Sequence, residues 1–158
     1  MPTDFYRQGI FDRGNIMNRG LIAKASITVN ASVTTVWDAL TNPETIKQYM
    51  FGTEVVSNWK EGGTIVWKGV WQGKAYEDTG KILKIEIGRM LRYSHFSPLS
   101  GQPDLPENYH VVTIELSGDG QNTTISLSQD NNETEEAREH SEKNWRMMLD
   151  GLKKVLEK

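Results

Sequence analysis

Ala31-Ser32-Val33-Thr34-Thr35-Val36-Trp37-Asp38-Ala39-Leu40-Thr41-Asn42-Pro43-Glu44-Thr45-Ile46-Lys47-Gln48-Tyr49-Met50 is the stretch that decides the fold. Ser32 suits a helix N-cap, because its hydroxyl can accept from a backbone N–H one turn on. Val33, Val36, Trp37 and Leu40 follow at helical spacing, as one apolar stripe. Pro43 has no N–H with which to continue that helix. Its fixed φ suits the first turn of a new one, with Asn42 as the cap. Thr45 to Met50 then reads as a second short helix. Two short helices broken at Asn42-Pro43 are expected here.

Upstream, Leu21 to Val29 alternates. Leu21, Ala23, Ala25, Ile27 and Val29 share one face, while Lys24, Ser26 and Thr28 take the other. That is a half-buried strand. Residues 1–20 read as an N-terminal extension. Phe5, Tyr6, Ile10, Phe11 and Ile16 make it too apolar for a solvated tail. It is expected to dock on its own chain or on a second copy, so a homodimer through the extension is one reading.

Downstream, Glu54 to Asp130 reads as antiparallel strands. Ile65 and Trp67 alternate with polar neighbours. Trp71-Gln72-Gly73-Lys74 predicts a hairpin turn, with Gly73 free to take positive φ. A long strand is expected over Ala75–Ile87, with Gly80 as a bulge that swaps its faces. Met90–Phe96 is the next strand. The proline-bearing run Ser97–Glu107 is a loop. Tyr109–Leu116 and Thr123–Asp130 form a last hairpin around Gly118-Asp119-Gly120. The chain closes on a long amphipathic helix. Asn132 with Glu135 predicts a capping box. Acidic residues crowd its first turn and Lys153, Lys154 and Lys158 its last. Trp145, Met148, Leu149, Leu152, Val155 and Leu156 form its apolar stripe.

The bulk composition narrows the function classes. The chain has 158 residues, 37% of them apolar and 25% charged, which suits one globular domain over residues 21–158. Net charge is −3, with no basic run, so no nucleic-acid partner is expected. There is no cysteine, which removes disulfides, thiolate metal sites and thiol nucleophiles. That fits a reducing compartment, and the expected location is cytoplasmic. No apolar run approaches the roughly 18–20 residues of a transmembrane helix. The first residues lack the apolar core of a signal peptide.

The order of strand, two short helices, a run of strands and one long helix resembles the START-like helix-grip superfamily. The motifs that carry the likeness are Val36-Trp37-Asp38-Ala39-Leu40-Thr41-Asn42-Pro43, the Glu61-Gly62-Gly63 turn before Ile65 and Trp67, Gly73-Lys74-Ala75-Tyr76-Glu77-Asp78 leading to Gly80-Lys81-Ile82-Leu83, Arg89 to Tyr93, and Trp145 to Leu152. They are similar to the branch named for the activator of the ninety-kilodalton heat-shock chaperone ATPase. The resemblance spans residues 21–158. It implies an α+β helix-grip fold: a curved antiparallel sheet of about six or seven strands around the C-terminal helix. It also implies a cavity between sheet and helix. It leaves function open, since members include lipid carriers, polyketide cyclases, hormone receptors and co-chaperones.

Period-two counting places Ile65, Trp67, Leu91, Tyr93, His95, Ile114 and Leu127 on the concave face. Val112, Leu116, Ile125 and Gln129 share it. Trp145, Met148, Leu149 and Leu152 face them from the helix, and Tyr49, Met50 and Phe51 stand at the mouth. The set predicts an apolar pocket with few polar anchors, the usual make-up of a small-molecule site. The plainer alternative is that these side chains meet and fill a core. His95 faces inward, where an imidazole can hydrogen-bond a ligand or act as a base. His110 and His140 are assigned to wetter faces. The three histidines show no metal-ligand spacing, so no metal and no cofactor are expected. Tyr76-Glu77-Asp78 sets a phenol beside two carboxylates, of which one facing inward could polarise a ligand hydroxyl. Non-catalytic binding of an apolar or aromatic small molecule, lipid-like or polyketide-like, leads the functional readings. A cyclase- or hydrolase-type enzyme in the same cavity is second. It would draw on His95, Tyr93 and Tyr76, with orientation in a dry site supplying part of the rate. A co-chaperone or protein-interaction module is third.

Overall fold

The computed structural model describes residues 20–158. In chain order the elements are β1 (Leu21–Val29), α1 (Val33–Thr41), α2 (Pro43–Tyr49), β2 (Glu54–Ser57), β3 (Thr64–Trp71), β4 (Lys74–Glu86), β5 (Met90–His95), β6 (His110–Gly118), β7 (Thr123–Asn132) and α3 (Glu135–Leu156). The strands make one antiparallel sheet of seven, ordered β1-β7-β6-β5-β4-β3-β2. The loop from β5 to β6 carries short 3₁₀ turns at Pro98–Ser100 and Pro106–Asn108. Residues 1–19, and with them Phe5, Tyr6, Ile10, Phe11, Ile16 and the dimer read from them, lie outside the described residues.

Local chemistry accounts for the two short helices. Ser32 Oγ accepts from the Thr35 N–H and caps α1. Asn42 Oδ1 accepts from the Glu44 N–H and caps α2. The second helix thus starts at Pro43 with Asn42 as its cap, as expected, because proline fills a first-turn position whose N–H would be unpaired anyway. The same proline leaves Ala39 C=O without the N–H four residues on that a helix would offer. The buried Tyr49 hydroxyl donates to that carbonyl at 2.9 Å.

Two expectations move by a few residues. The bulge falls between Ile82 and Lys84 in the β4–β5 pairing, so that Ile82 and Ile85 both reach the core while Leu83 is exposed. Gly80 itself stays in register opposite Ile65. Its task is close approach: a Cβ there would sit 1.7 Å from Ser94 O. At the last helix, the N-cap is Thr134, whose hydroxyl accepts from Ala137 N–H. Asn132 is instead the last residue of β7 and is buried. Its amide donates to Leu21 O and Gln129 O and its carbonyl accepts from Ser141 Oγ, tying β1, β7 and α3 together. Both residues have capping side chains, and burial decided which one served.

The sheet wraps its concave face toward α3. Ile65, Ile82, Leu91 and Ile125 from the sheet meet Leu149 and Leu152 from the helix in a fully buried centre. The helix also guards an edge. β1 ends the sheet, and an edge strand offers unpaired backbone groups to any passing strand. Glu142 accepts from Lys24 N–H at 3.0 Å, Glu157 accepts from Asn30 N–H at 2.6 Å, and Lys153 Nζ donates to Thr28 O at 3.0 Å. These side chains take up backbone groups that a second sheet would otherwise pair. No described helix is long and apolar enough to cross a membrane.

Candidate functional site

Between the concave face and α3 lies a cavity of about 700 Å³. Its inner wall comes from neighbouring strands. Trp67 on β3 pairs across with Asp78 on β4, and His95 on β5 pairs with His110 on β6. One residue from each of four adjacent strands therefore enters a stepped row, with Asp78 and His95 in diagonal contact at 2.8 Å. Trp145 and Met148 cover the row from α3. The mouth is apolar and wet: Phe51, Trp71, Leu99 and Met147 line it and are each about half exposed. The β3–β4 turn, with Gln72 at φ 51° and Gly73 at φ 81°, carries Trp71 to within 5.9 Å of the Phe51 ring. That turn geometry matches the twist of the strands it joins.

The aromatic groups interlock. Trp67 lies 5.1 Å from the Tyr93 ring and 5.0 Å from His95, edge to face with the imidazole. His95 and His110 stack at 6.4 Å. Tyr93 is buried, and burial pushes its hydroxyl well above the ordinary tyrosine range, so it is a neutral phenol at any physiological pH.

Polar groups are pinned among these rings. Thr53 donates to Met50 O at 2.6 Å, so in its 2.5 Å contact with Tyr76 the phenol is the donor. Trp145 Nε1 donates to Gln129 Oε1 at 2.5 Å. His95 Nε2 meets Asp78 Oδ2 at 2.8 Å. Asp78 Oδ1 is buried and accepts nothing from the described residues. His110 Nδ1 lies 2.9 Å from Asp130 O. Among the described residues no Lys or Arg lines the cavity, and Asp78 is the one carboxylate there.

The residues singled out by sequence divide into three groups. Phe51, Trp67, Tyr93, His95, Trp145 and Met148 line the cavity. Tyr49, Ile65, Leu91 and Ile114 sit beneath it around a void of only about 30 Å³. Tyr49 is buried rather than at the mouth, its hydroxyl committed to Ala39 and its acidity weakened by burial and then by Tyr93. Leu127, Leu149 and Leu152 are packed in the core and line neither space.

The lining is more polar than periodicity suggests. His110 shares the inward parity of Val112 and Ile114, and its assignment to the outer face is corrected. His140 also lines the rim, although it lies on the wetter side of α3. Asp78 is inward while Glu77 is exposed. The signal for Asp78 was present in the alternation, since Tyr76, Asp78, Gly80 and Ile82 share one parity. Ser141 and Asn144 on α3 have no such signal: they border the cavity only because the helix crosses its lip. Among the described residues no group of His, Asp and Glu could hold a metal ion.

Comparison with known proteins places this geometry in a context. Residues 30–157 match the family described as activator of Hsp90 ATPase homolog 1-like protein. The solution structure of ChR145 from Cytophaga hutchinsonii is similar over 89% of this chain and 97% of that one, at 60% identity and a TM-score of 0.78. CalU16 from Micromonospora echinospora is similar in fold, at 24% identity and a TM-score of 0.64, over 84% of this chain and 81% of its own. The Aha1 dimer from Colwellia psychrerythraea shares the fold at 20% identity and a TM-score of 0.67, over 86% of this chain and 96% of its own. The curated proteins hold no match to this chain.

Proposed function

The chain belongs to the family of activator of Hsp90 ATPase homolog 1-like proteins, and from that premise we propose that it is a non-catalytic binder of an apolar or aromatic small molecule held between the sheet and α3. One observation carries the reading: a cavity of about 700 Å³ whose walls include Trp67, Tyr93 and Trp145. Small-molecule sites are commonly ~300–1,000 Å³, mostly apolar, with a few placed polar groups. Indole and phenol walls stack on ring systems and bury much apolar area for little side-chain entropy. The apolar mouth at Phe51 and Trp71 gives such a molecule a way in.

Tryptophan emission and melting temperature test this together. Titration with a panel of polycyclic aromatic and fatty ligands should quench or shift emission and raise the melting temperature, since a ligand that binds only the folded state stabilises it by mass action. A panel that changes neither, up to the solubility limit, overturns the reading.

A cyclase- or hydrolase-type activity is the second reading, and the Asp78–His95 contact at 2.8 Å is what favours it. A carboxylate that orients an imidazole sets up a general base. Turnover of an activated ester or a reactive polyketone that disappears in His95→Ala supports this reading. Binding without turnover excludes it.

A further inference from the structure

We propose that the Asp78–His95 pair is the recognition point for a hydrogen-bond-donating hydroxyl on an uncharged ring compound, and that the same cavity discriminates against carboxylates. This rests on the cavity reading above and names the polar end of its ligand.

Four observations converge on it. Asp78 Oδ2 is satisfied by His95, while its partner oxygen Oδ1 is buried with no donor among the described residues. A carboxylate accepts through both oxygens, and a buried acceptor left unmade is costly. The cost is relieved by a ligand that brings its own O–H. Asp78 itself lines the cavity, so a ligand seated there can bring its O–H beside that carboxylate. Next, His95 spends Nε2 on Asp78 and is left with Nδ1 for the ligand. In the neutral ring, an N–H at Nε2 makes Nδ1 an acceptor as well. The Asp78–His95 pair therefore presents acceptors, and a donor is what fits it.

The third observation is the aromatic setting. Trp67 stands edge-on to His95 at 5.0 Å and beside Tyr93 at 5.1 Å, so the acceptor pair is framed by rings. A ring that carries the hydroxyl can stack there while its O–H reaches Asp78. The fourth is charge. Among the described residues no Lys or Arg lines the cavity, so a ligand carboxylate would lie near Asp78 with neither side chain to offset the repulsion.

Isothermal titration with three matched probes decides the matter: 2-naphthol, 2-methoxynaphthalene and 2-naphthoate. The wild-type protein should bind the naphthol at least tenfold more tightly than the other two, the scale of one hydrogen bond to a charged acceptor. Asp78→Asn should bring naphthol to within about threefold of methoxynaphthalene, because the amide offers a weaker, single acceptor. The wild-type series stands alone if that variant does not fold. Equal binding of naphthol and methoxynaphthalene overturns the assignment of Asp78–His95 while leaving the cavity as a ring-binding site. Tightest binding by naphthoate overturns it as well. Failure of all three probes to bind removes the cavity reading and this one with it.

Discussion

Tyr49 is a residue whose chemistry the sequence hides. It looks like a mouth residue because it ends a short helix, yet it donates from the interior to a carbonyl that Pro43 leaves without a helical partner. Tyr49→Phe should therefore cost about 1–2 kcal/mol in urea unfolding, the price of one buried acceptor left unpaired, and leave ligand binding unchanged. Gly80 is a second such residue. It was legible as special but for the wrong reason: no positive φ and no extra residue, only a backbone neighbour 1.7 Å from where a Cβ would stand. Gly80→Ala should lower stability by about 2 kcal/mol or more through forced displacement of β4 from β5, seen as a lower urea midpoint. Single-residue polar roles such as Asp78 facing His95 depend on which strands adjoin. Alternation gives the face of a residue but not its neighbour across the sheet.

Elements were read more fully than residues. Alternation in Leu21–Val29 and the stripe from Trp145 to Leu156 gave a strand and a helix in the right places, because each period is set by one-sided burial alone. The ends were less legible. Asn132 and Thr134 are both capping types, and only the tertiary bonds of Asn132 to Leu21 and Ser141 show why Thr134 takes the cap. Nothing in the periodicity announces that α3 also seals the β1 edge. The Lys24 N–H and then Arg138 hold the Glu142 carboxyl below its ordinary value of 4.5. A carboxyl whose folded value is depressed stabilises the fold above the ordinary value and loses that contribution as pH falls through the folded one. Glu142→Gln should accordingly flatten the decline in melting temperature below pH 4.5. The double variant Glu142→Ala with Glu157→Ala uncovers the Lys24 and Asn30 N–H groups, and should self-associate with concentration in light scattering.

For the whole molecule, the arrangement of sheet, helix and cavity follows from two requirements: β1 must be covered and the concave face must be met by one helix. The interior also holds two phenols, Tyr49 and Tyr93, whose hydroxyls burial pushes above the ordinary value of 10.0. Unfolding releases them to water, where they lose protons above pH 10. The phenols' contribution should be constant below that pH and fall above it, by about 1.4 kcal/mol per pH unit for each phenol, measured by chemical unfolding between pH 9 and 12. Tyr93→Phe should make the fall shallower.

The cavity is the central claim, and the five tryptophans report on it by position. Trp67, Trp71 and Trp145 line the cavity, whereas Trp37 on α1 does not. Indole N–H resonances in a nitrogen-15 spectrum, followed through a titration with 2-naphthol, read each site separately. The expected result is that the Trp67, Trp71 and Trp145 signals move together along one saturating curve while Trp37 stays still. Indole signals that remain in place throughout, or a Trp37 shift as large as that of Trp145, would contradict a ligand seated between the sheet and α3.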